Sequence, residues 1–142
     1  MVFKKESLLK RLEKLREYLN DISEIANLSL ERYISDKKTK YMGERILFLI
    51  CENILDFLDH VLASRFNAIS DNYEDIITNA FSRALISKDL YNLLKGLGGL
   101  RNVLAHEYLN LSDEKVYANI TRIHSIEKDI LREFEHIIKT QI

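Results

Sequence analysis

Arg101, Asn102, His106 and Tyr108 lie close together in one segment, Gly96-Leu-Gly-Gly-Leu-Arg-Asn-Val-Leu-Ala-His-Glu-Tyr108. These residue types suit phosphodiester chemistry. A guanidinium holds phosphate oxygens through a fork of donors and stays charged at any physiological pH. An imidazole, with an ordinary pKa of about 6.5, takes up or releases a proton at neutral pH. Without a metal, the pair could drive attack of an RNA 2′-hydroxyl on the adjacent phosphate. His106 would serve as general base or acid, and Arg101 would stabilise charge on a phosphorane-like transition state. Asn102 could orient the phosphate or fix the imidazole tautomer. DNA lacks the internal nucleophile, so RNA is the substrate this chemistry points to.

On a helix, Asn102 and His106 are one turn apart and share a face, while Arg101 and Tyr108 share another. Arg101 and His106 stand about 140° apart around an ideal helix. Three routes could bring them together: a curled arginine arm, a helix loosened near its end, or two copies of the motif facing each other across a dimer axis. The last is the preferred reading, because one short motif then supplies a symmetric cleft with two arginines and two histidines. The bland alternative pairs Arg101 with a surface carboxylate and leaves His106 near a helix end, and for an arbitrary Arg and His at this spacing it is the commoner case. Gly96, Gly98 and Gly99 interrupt the helical pattern just before the motif, each costing about 1 kcal/mol relative to alanine. Two compensations stand open, close approach by a neighbouring helix and close approach by a phosphate.

Helical periodicity supplies the elements that must carry these residues. Leu8, Leu12, Leu15, Leu19, Ile22 and Ala26 recur at spacings of four and three, predicting a helix from about Lys5 to Ser35. A second, from about Thr39 to Arg65, is apolar around much of its circumference and is expected to be the most buried. Asp71 and Glu74 have the capping-box spacing for a third helix over about Asn72 to Ile86. Ser87 caps a fourth, with Leu90, Leu93, Leu94, Leu97, Leu100 and Leu104 on one face. Ser112 caps a fifth, whose stripe runs from Val116 to Ile137. The basic run Lys37-Lys38-Thr39-Lys40, with Arg45 one turn on, is expected to be a solvated turn between helices. The predicted fold is all-α, an up-and-down bundle of four or five helices, in one domain spanning residues 1–142.

Composition excludes several classes. Apolar residues make up 46% and charged residues 30%, which rules out disorder. The absence of proline and the presence of only four glycines speak against turn-rich β folds. Lys and Arg total 21 against 22 Asp and Glu, so an RNA partner must be attracted by a local patch, not by a global field. The single cysteine, Cys51, sits in an apolar helix and is expected to be inert core, and no Cys/His cluster has zinc-site spacing. No cofactor or metal is expected. The start, Met1-Val-Phe-Lys-Lys-Glu, lacks the apolar core of a signal peptide, and the longest apolar run, Ile46 to Cys51, is far short of a membrane span. The expectation is a cytoplasmic protein with no membrane partner.

The string Arg101-Asn102-Val-Leu-Ala-His106-Glu-Tyr108 resembles the R-x4-H-x-Y signature of HEPN-domain proteins, specifically the HepT-like toxins of HEPN/MNT toxin–antitoxin systems. The resemblance runs along most of the chain, through Leu12-Glu-Lys-Leu-Arg-Glu-Tyr-Leu, Ile54-Leu-Asp56-Phe-Leu-Asp-His60 and Asn72-Tyr73-Glu74-Asp75. It implies a helical bundle forming a homodimer with the motifs meeting at the interface. It also implies a type VII toxin that is a metal-independent endoribonuclease directed at cellular RNA, often tRNA. Arg101 and His106 would be catalytic and Asn102 supporting. Tyr108 matches the tyrosine that the cognate MNT nucleotidyltransferase antitoxin modifies with AMP, placing an anionic adduct where it competes with RNA phosphate for Arg101. One departure is Asp71-Asn72 where many relatives carry proline before the tyrosine, which affects only a cap.

A non-catalytic HEPN subunit that binds nucleotide or substrate for an MNT-type nucleotidyltransferase is the alternative, and a purely structural bundle ranks last because it leaves the motif unexplained. Glu52 and Asp56, one turn apart, could back the basic motif or form the polar seam of their helix, and the seam is expected. His60, His124 and His136 lack partnered spacing and are expected on helix faces.

Overall fold

The computed structural model describes residues 5–141, except for the side chain of Tyr108. The reading of the chain start as lacking a signal peptide falls partly on residues 1–4, outside the described residues. Seven α-helices follow one another among the described residues: α1 (Lys5–Ala26), α2 (Leu30–Ser35), α3 (Lys37–Phe66), α4 (Tyr73–Ser82), α5 (Lys88–Leu94), α6 (Leu97–His106) and α7 (Asp113–Gln141). A 3-10 turn, Tyr108–Asn110, joins the last two, and no strand forms among these residues. The all-α bundle expected from periodicity is the fold observed.

Three long helices make its frame. The end of α1 meets the start of α7, where the Tyr117 hydroxyl donates to the Leu28 carbonyl, and Arg16 of α1 pairs with Glu135 near the end of α7. These two helices therefore run antiparallel. α3 runs parallel to α7, with Lys40 paired to Asp113 at 3.3 Å at their starts and Phe57 stacked on Phe134 at 4.3 Å further along. The expected stripes are the core: Leu8, Leu12, Leu15, Leu19 and Ile22 of α1 and Val116, Ile120, Ile123, Ile130 and Phe134 of α7 are all buried. α3 buries ten residues, more than any other helix, as its apolar circumference requires. Burial pushes the Cys51 thiol up to about 12, so it stays protonated, consistent with an inert core residue.

Five boundaries differ from the sequence reading, and each has a local cause. The first predicted helix breaks at Asn27–Ser29, where the Ser29 hydroxyl accepts from the Arg32 N–H at 3.2 Å and starts α2. Asp36 then caps α3, accepting from the Lys38 N–H at 3.1 Å and the Thr39 hydroxyl at 2.8 Å. The basic run Lys37–Lys40 is thus the first turn of α3 rather than a turn between helices. The cap of α4 is Asn72, not Asp71: its side chain accepts from the Asp75 N–H at 2.8 Å, while the Asp75 carboxylate accepts from the Asp71 N–H at 3.0 Å. This helix stops at Ser82 instead of Ile86, with Ala84 in the left-handed region at φ 58°. Finally, the fourth predicted helix divides into α5 and α6 at Lys95–Gly96.

That last break explains two of the three clustered glycines. Gly96 adopts φ 91°, a conformation L side chains rarely take. A Cβ on Gly98 would stand 2.4 Å from the backbone nitrogen of Glu74, so α6 lies directly against the start of α4. Gly99 faces open space, with nothing within 4 Å of a built Cβ. Gly98→Ala should therefore destabilise the fold by about 1–3 kcal/mol, because backbone must move to admit the methyl. Gly99→Ala should be neutral or stabilising by up to about 1 kcal/mol. Urea denaturation of the two variants checks the contrast, and equal effects would contradict this packing.

Candidate active site

The start of α4 fixes α6. Since Gly96 has no side chain to cap the helix, the Glu74 carboxylate does so from outside, accepting from the Gly96 N–H and the Gly98 N–H, each at 2.9 Å. A carboxylate at this end also meets the positive pole of the helix dipole. Glu74, which the sequence suggested as the capping-box partner of Asp71, instead ties two elements together across 22 residues to Gly96.

Arg101 lies on the inner stripe of α6, one turn from buried Leu97 and from half-buried Leu104. Its Nε donates to Glu52 Oε1 of α3 at 2.5 Å, with the arginine side chain only 14% exposed. Two aromatic faces enclose the guanidinium: its central carbon is 4.2 Å from the Tyr73 ring centroid and 5.4 Å from that of Phe48. The Glu52 hydrogen bond, first among the causes, holds the guanidinium still more firmly protonated. Glu52 is thus a direct partner of the motif, and the expectation that it is merely part of a polar seam is corrected. The signal was its presence one turn from Asp56 on the most apolar helix; what the sequence lacked was any sign that Arg101, 49 residues on, would reach it.

Asn102 and His106 occupy the opposite, outer stripe with Gly99, and all three are exposed. Asn102 Oδ1 accepts from an Arg101 terminal nitrogen at 3.3 Å, so these two are brought together. His106 is not: it sits at the last position of α6, with no hydrogen bond or ion pair among the described residues. The Tyr108 backbone begins the 3-10 turn that follows, and its side chain lies outside the described residues. Within one chain the motif therefore presents an oriented arginine inward and an exposed imidazole outward.

Asp56 approaches Arg101 only electrostatically. Desolvation, then the Glu52 and Asp59 charges, raise its carboxyl above the ordinary carboxylate range, against the lowering influence of Arg11 and Arg101. His60, half-buried on the same helix, is held below the usual imidazole range, first by burial and then by Arg11. His124 Nδ1 lies 3.5 Å from Glu127 one turn on, and His136 is exposed, so both occupy helix faces. No group of three or more His, Cys, Asp or Glu side chains among the described residues is placed to hold a metal ion. No helix among them is long and apolar enough to cross a membrane. A cleft of about 1080 Å³ lies between the α4–α5 connection, α5 and α7 and contains none of the motif residues.

The HepT-like family model, described as "Ribonuclease HepT-like", matches residues 12–137. A curated relative, the "tRNA nuclease HepT" of Aphanizomenon flos-aquae, is 28% identical over 111 residues, covering 78% of this chain and 76% of its own. Among solved structures, the Bacillus subtilis cytosolic protein YutE, of unknown function, superposes with TM-score 0.84 at 19% identity, over 100% of this chain and 96% of its own. A toxin–antitoxin structure with AMP-PNP gives TM-score 0.72 at 20% identity, covering 93% and 94%. The tri-AMPylated Shewanella oneidensis HEPN toxin in complex with MNT antitoxin gives 0.70 at 20% identity, covering 93% of each chain.

The raised Asp56 carboxyl makes a pH-dependent prediction. A carboxyl whose folded pKa lies above its unfolded value binds protons more tightly when folded, so its contribution to stability declines as pH rises through that window. Asp56→Asn should accordingly stabilise the chain at pH 7 and lose that advantage at acidic pH. Chemical denaturation at both pH values checks this, and a variant less stable at pH 7 would contradict the assigned cause.

Proposed function

We propose, starting from the fact that this chain belongs to the HepT-like ribonuclease family, that it is the toxin of a type VII HEPN/MNT toxin–antitoxin pair and cleaves RNA without a metal. The observation that carries the reading is the state of Arg101. It is oriented by Glu52, permanently charged and linked to Asn102. Two of its five N–H donors are engaged in those bonds, leaving three for phosphate oxygens.

In the proposed reaction, the His106 imidazole takes the proton of a ribose 2′-hydroxyl as its oxygen attacks the adjacent phosphorus. The bond to the 5′-oxygen breaks, and that oxygen leaves with a proton from water, while His106 returns the proton it took to solvent. The products are a 2′,3′-cyclic phosphate and a 5′-hydroxyl. Arg101 stabilises the doubly charged phosphorane-like oxygens as they form, and Asn102 supports it. Because Arg101 and His106 face different sides of α6, the complete site is assigned to a homodimer in which each chain's outward His106 meets the other's Arg101. The substrate class is RNA, and tRNA is supported by the name of the Aphanizomenon relative.

Regulation follows the same reading. The tri-AMPylated toxin in complex with MNT antitoxin among the structural neighbours supports AMP transfer to Tyr108 by a cognate nucleotidyltransferase. Tyr108 opens the turn two residues after His106, so an adduct there would bring negative charge and bulk to the site.

Total RNA incubated with the protein in EDTA should be cut, leaving cyclic phosphate ends. Arg101→Ala and His106→Ala should each lower the rate at least about 100-fold while leaving the helical circular dichroism spectrum unchanged. Cleavage that persists in both variants would end the assignment. A folded wild-type chain that binds RNA or nucleotide but cuts nothing would favour the non-catalytic HEPN subunit instead.

A further inference from the structure

One side of α3 carries a sequence pattern that the proposed chemistry uses only at its Phe48–Glu52 end. Lys38, Tyr41, Arg45, Phe48 and Glu52 follow one another at spacings of three, four, three and four, and therefore form a single stripe along the helix. The stripe ends at the Glu52–Arg101 pair. Phe48 links its two parts, because the same ring lies 5.4 Å from the Arg101 guanidinium carbon and 5.5 Å from that of Arg45. Arg45 is exposed and has no carboxylate partner among the described residues, in contrast to Arg101. Lys38 is exposed in the first turn, and Tyr41 is 62% exposed despite being a large aromatic. Beside Arg45 and Phe48 a cleft of about 330 Å³ opens between α3 and α6, bounded also by Tyr41, Glu44, Leu104 and Ala105. Its acidic member, Glu44, has its carboxyl raised, first by burial and then by Asp113, with Lys40 acting in the opposite direction.

We infer that this stripe is a binding track for single-stranded RNA, continuing from the site of cleavage: Arg45 holds the phosphate next along the strand from the one held by Arg101, and Tyr41 stacks on an unpaired base. The inference rests on the ribonuclease reading for its direction but on α3 alone for its residues. Alternation of cations with exposed aromatic rings is the arrangement that recognises single strands, since phosphates meet charge and every base has a face to stack. From Arg45 to Glu52 the helix rises about 10 Å, and from Tyr41 about 16 Å. That span accommodates a few nucleotides of an extended strand. A duplex would keep its bases stacked internally, so Tyr41 would have nothing to take, and the track discriminates in favour of unpaired segments.

The test uses the full chain carrying His106→Ala, so that RNA stays intact, with a fluorescein-labelled single-stranded RNA oligonucleotide as probe. Arg45→Gln and Tyr41→Ala should each weaken binding at least about fivefold. Arg45→Gln should also reduce the slope of log affinity against log salt by about one, while Tyr41→Phe keeps the parent affinity. A duplex of the same sequence should bind more weakly than the single strand and be insensitive to Tyr41→Ala. Sedimentation of every variant is measured alongside, because the same stripe could instead be a protein contact. Binding unchanged in both variants, or weakened only together with a change in oligomeric state, would overturn the inference. Cleavage by the unmodified chain is scored separately. RNA bound on this track but never cut would sink the ribonuclease reading and leave the track standing, and cleavage with Arg45 and Tyr41 dispensable for binding would do the reverse. A chain that binds no single-stranded RNA at all would sink the track outright.

Discussion

Arg101 is held from within its own chain. Glu52 receives its Nε–H, Tyr73 and Phe48 cover its faces, and the arm is left only 14% exposed. An ion pair at a protein surface contributes little, but one half-enclosed by aromatic rings is screened less and fixes direction as well as charge. The cost of this orientation falls on the histidine. With the arginine turned inward on a ten-residue helix, the residue five positions along is carried to the outer side. The geometry of one chain thus separates the two groups that the proposed chemistry needs together, and this is the physical argument for proposing a site shared between two chains.

What holds Arg101 in place depends in turn on how α6 begins. Its first N–H groups have no side chain of their own to meet them, and Glu74 of α4 supplies the acceptor for two. The same end of α4 supplies Tyr73 to cover the guanidinium. Gly98 is what lets the two backbones approach closely enough for both contacts. Fold and site therefore meet in a few residues: a glycine that admits a neighbour, an acid that caps from outside and an aromatic face beside it.

Much of this was legible in the sequence, for reasons that can be named. The leucine and isoleucine stripes of α1, α3 and α7 identify the buried faces because burial follows helical period. The motif itself was visible as a run of types suited to phosphate and proton transfer, and its resemblance to HepT-like toxins agrees with the family of the chain. The misses have a common origin. Ser29 and Gly96 interrupt helices whose apolar period continues across the break, so periodicity alone joins segments that caps divide. Glu74 has a plausible local partner at capping-box spacing, and nothing local reveals that it serves Gly96 and Gly98 instead. Glu52 and Arg101 are 49 residues apart, and such a pairing is a property of the packed bundle.

The central claim is that two chains each contribute part of one catalytic site, and subunit complementation tests it most directly. Arg101→Ala and His106→Ala chains, each expected to be inactive alone, are unfolded and refolded together, and RNA cleavage by the purified heterodimer is measured. If each site takes its arginine from one chain and its histidine from the other, the heterodimer retains one intact site, and cleavage returns to roughly half the wild-type rate per dimer. A heterodimer that forms and stays inactive would contradict the shared site and return both groups to a single chain.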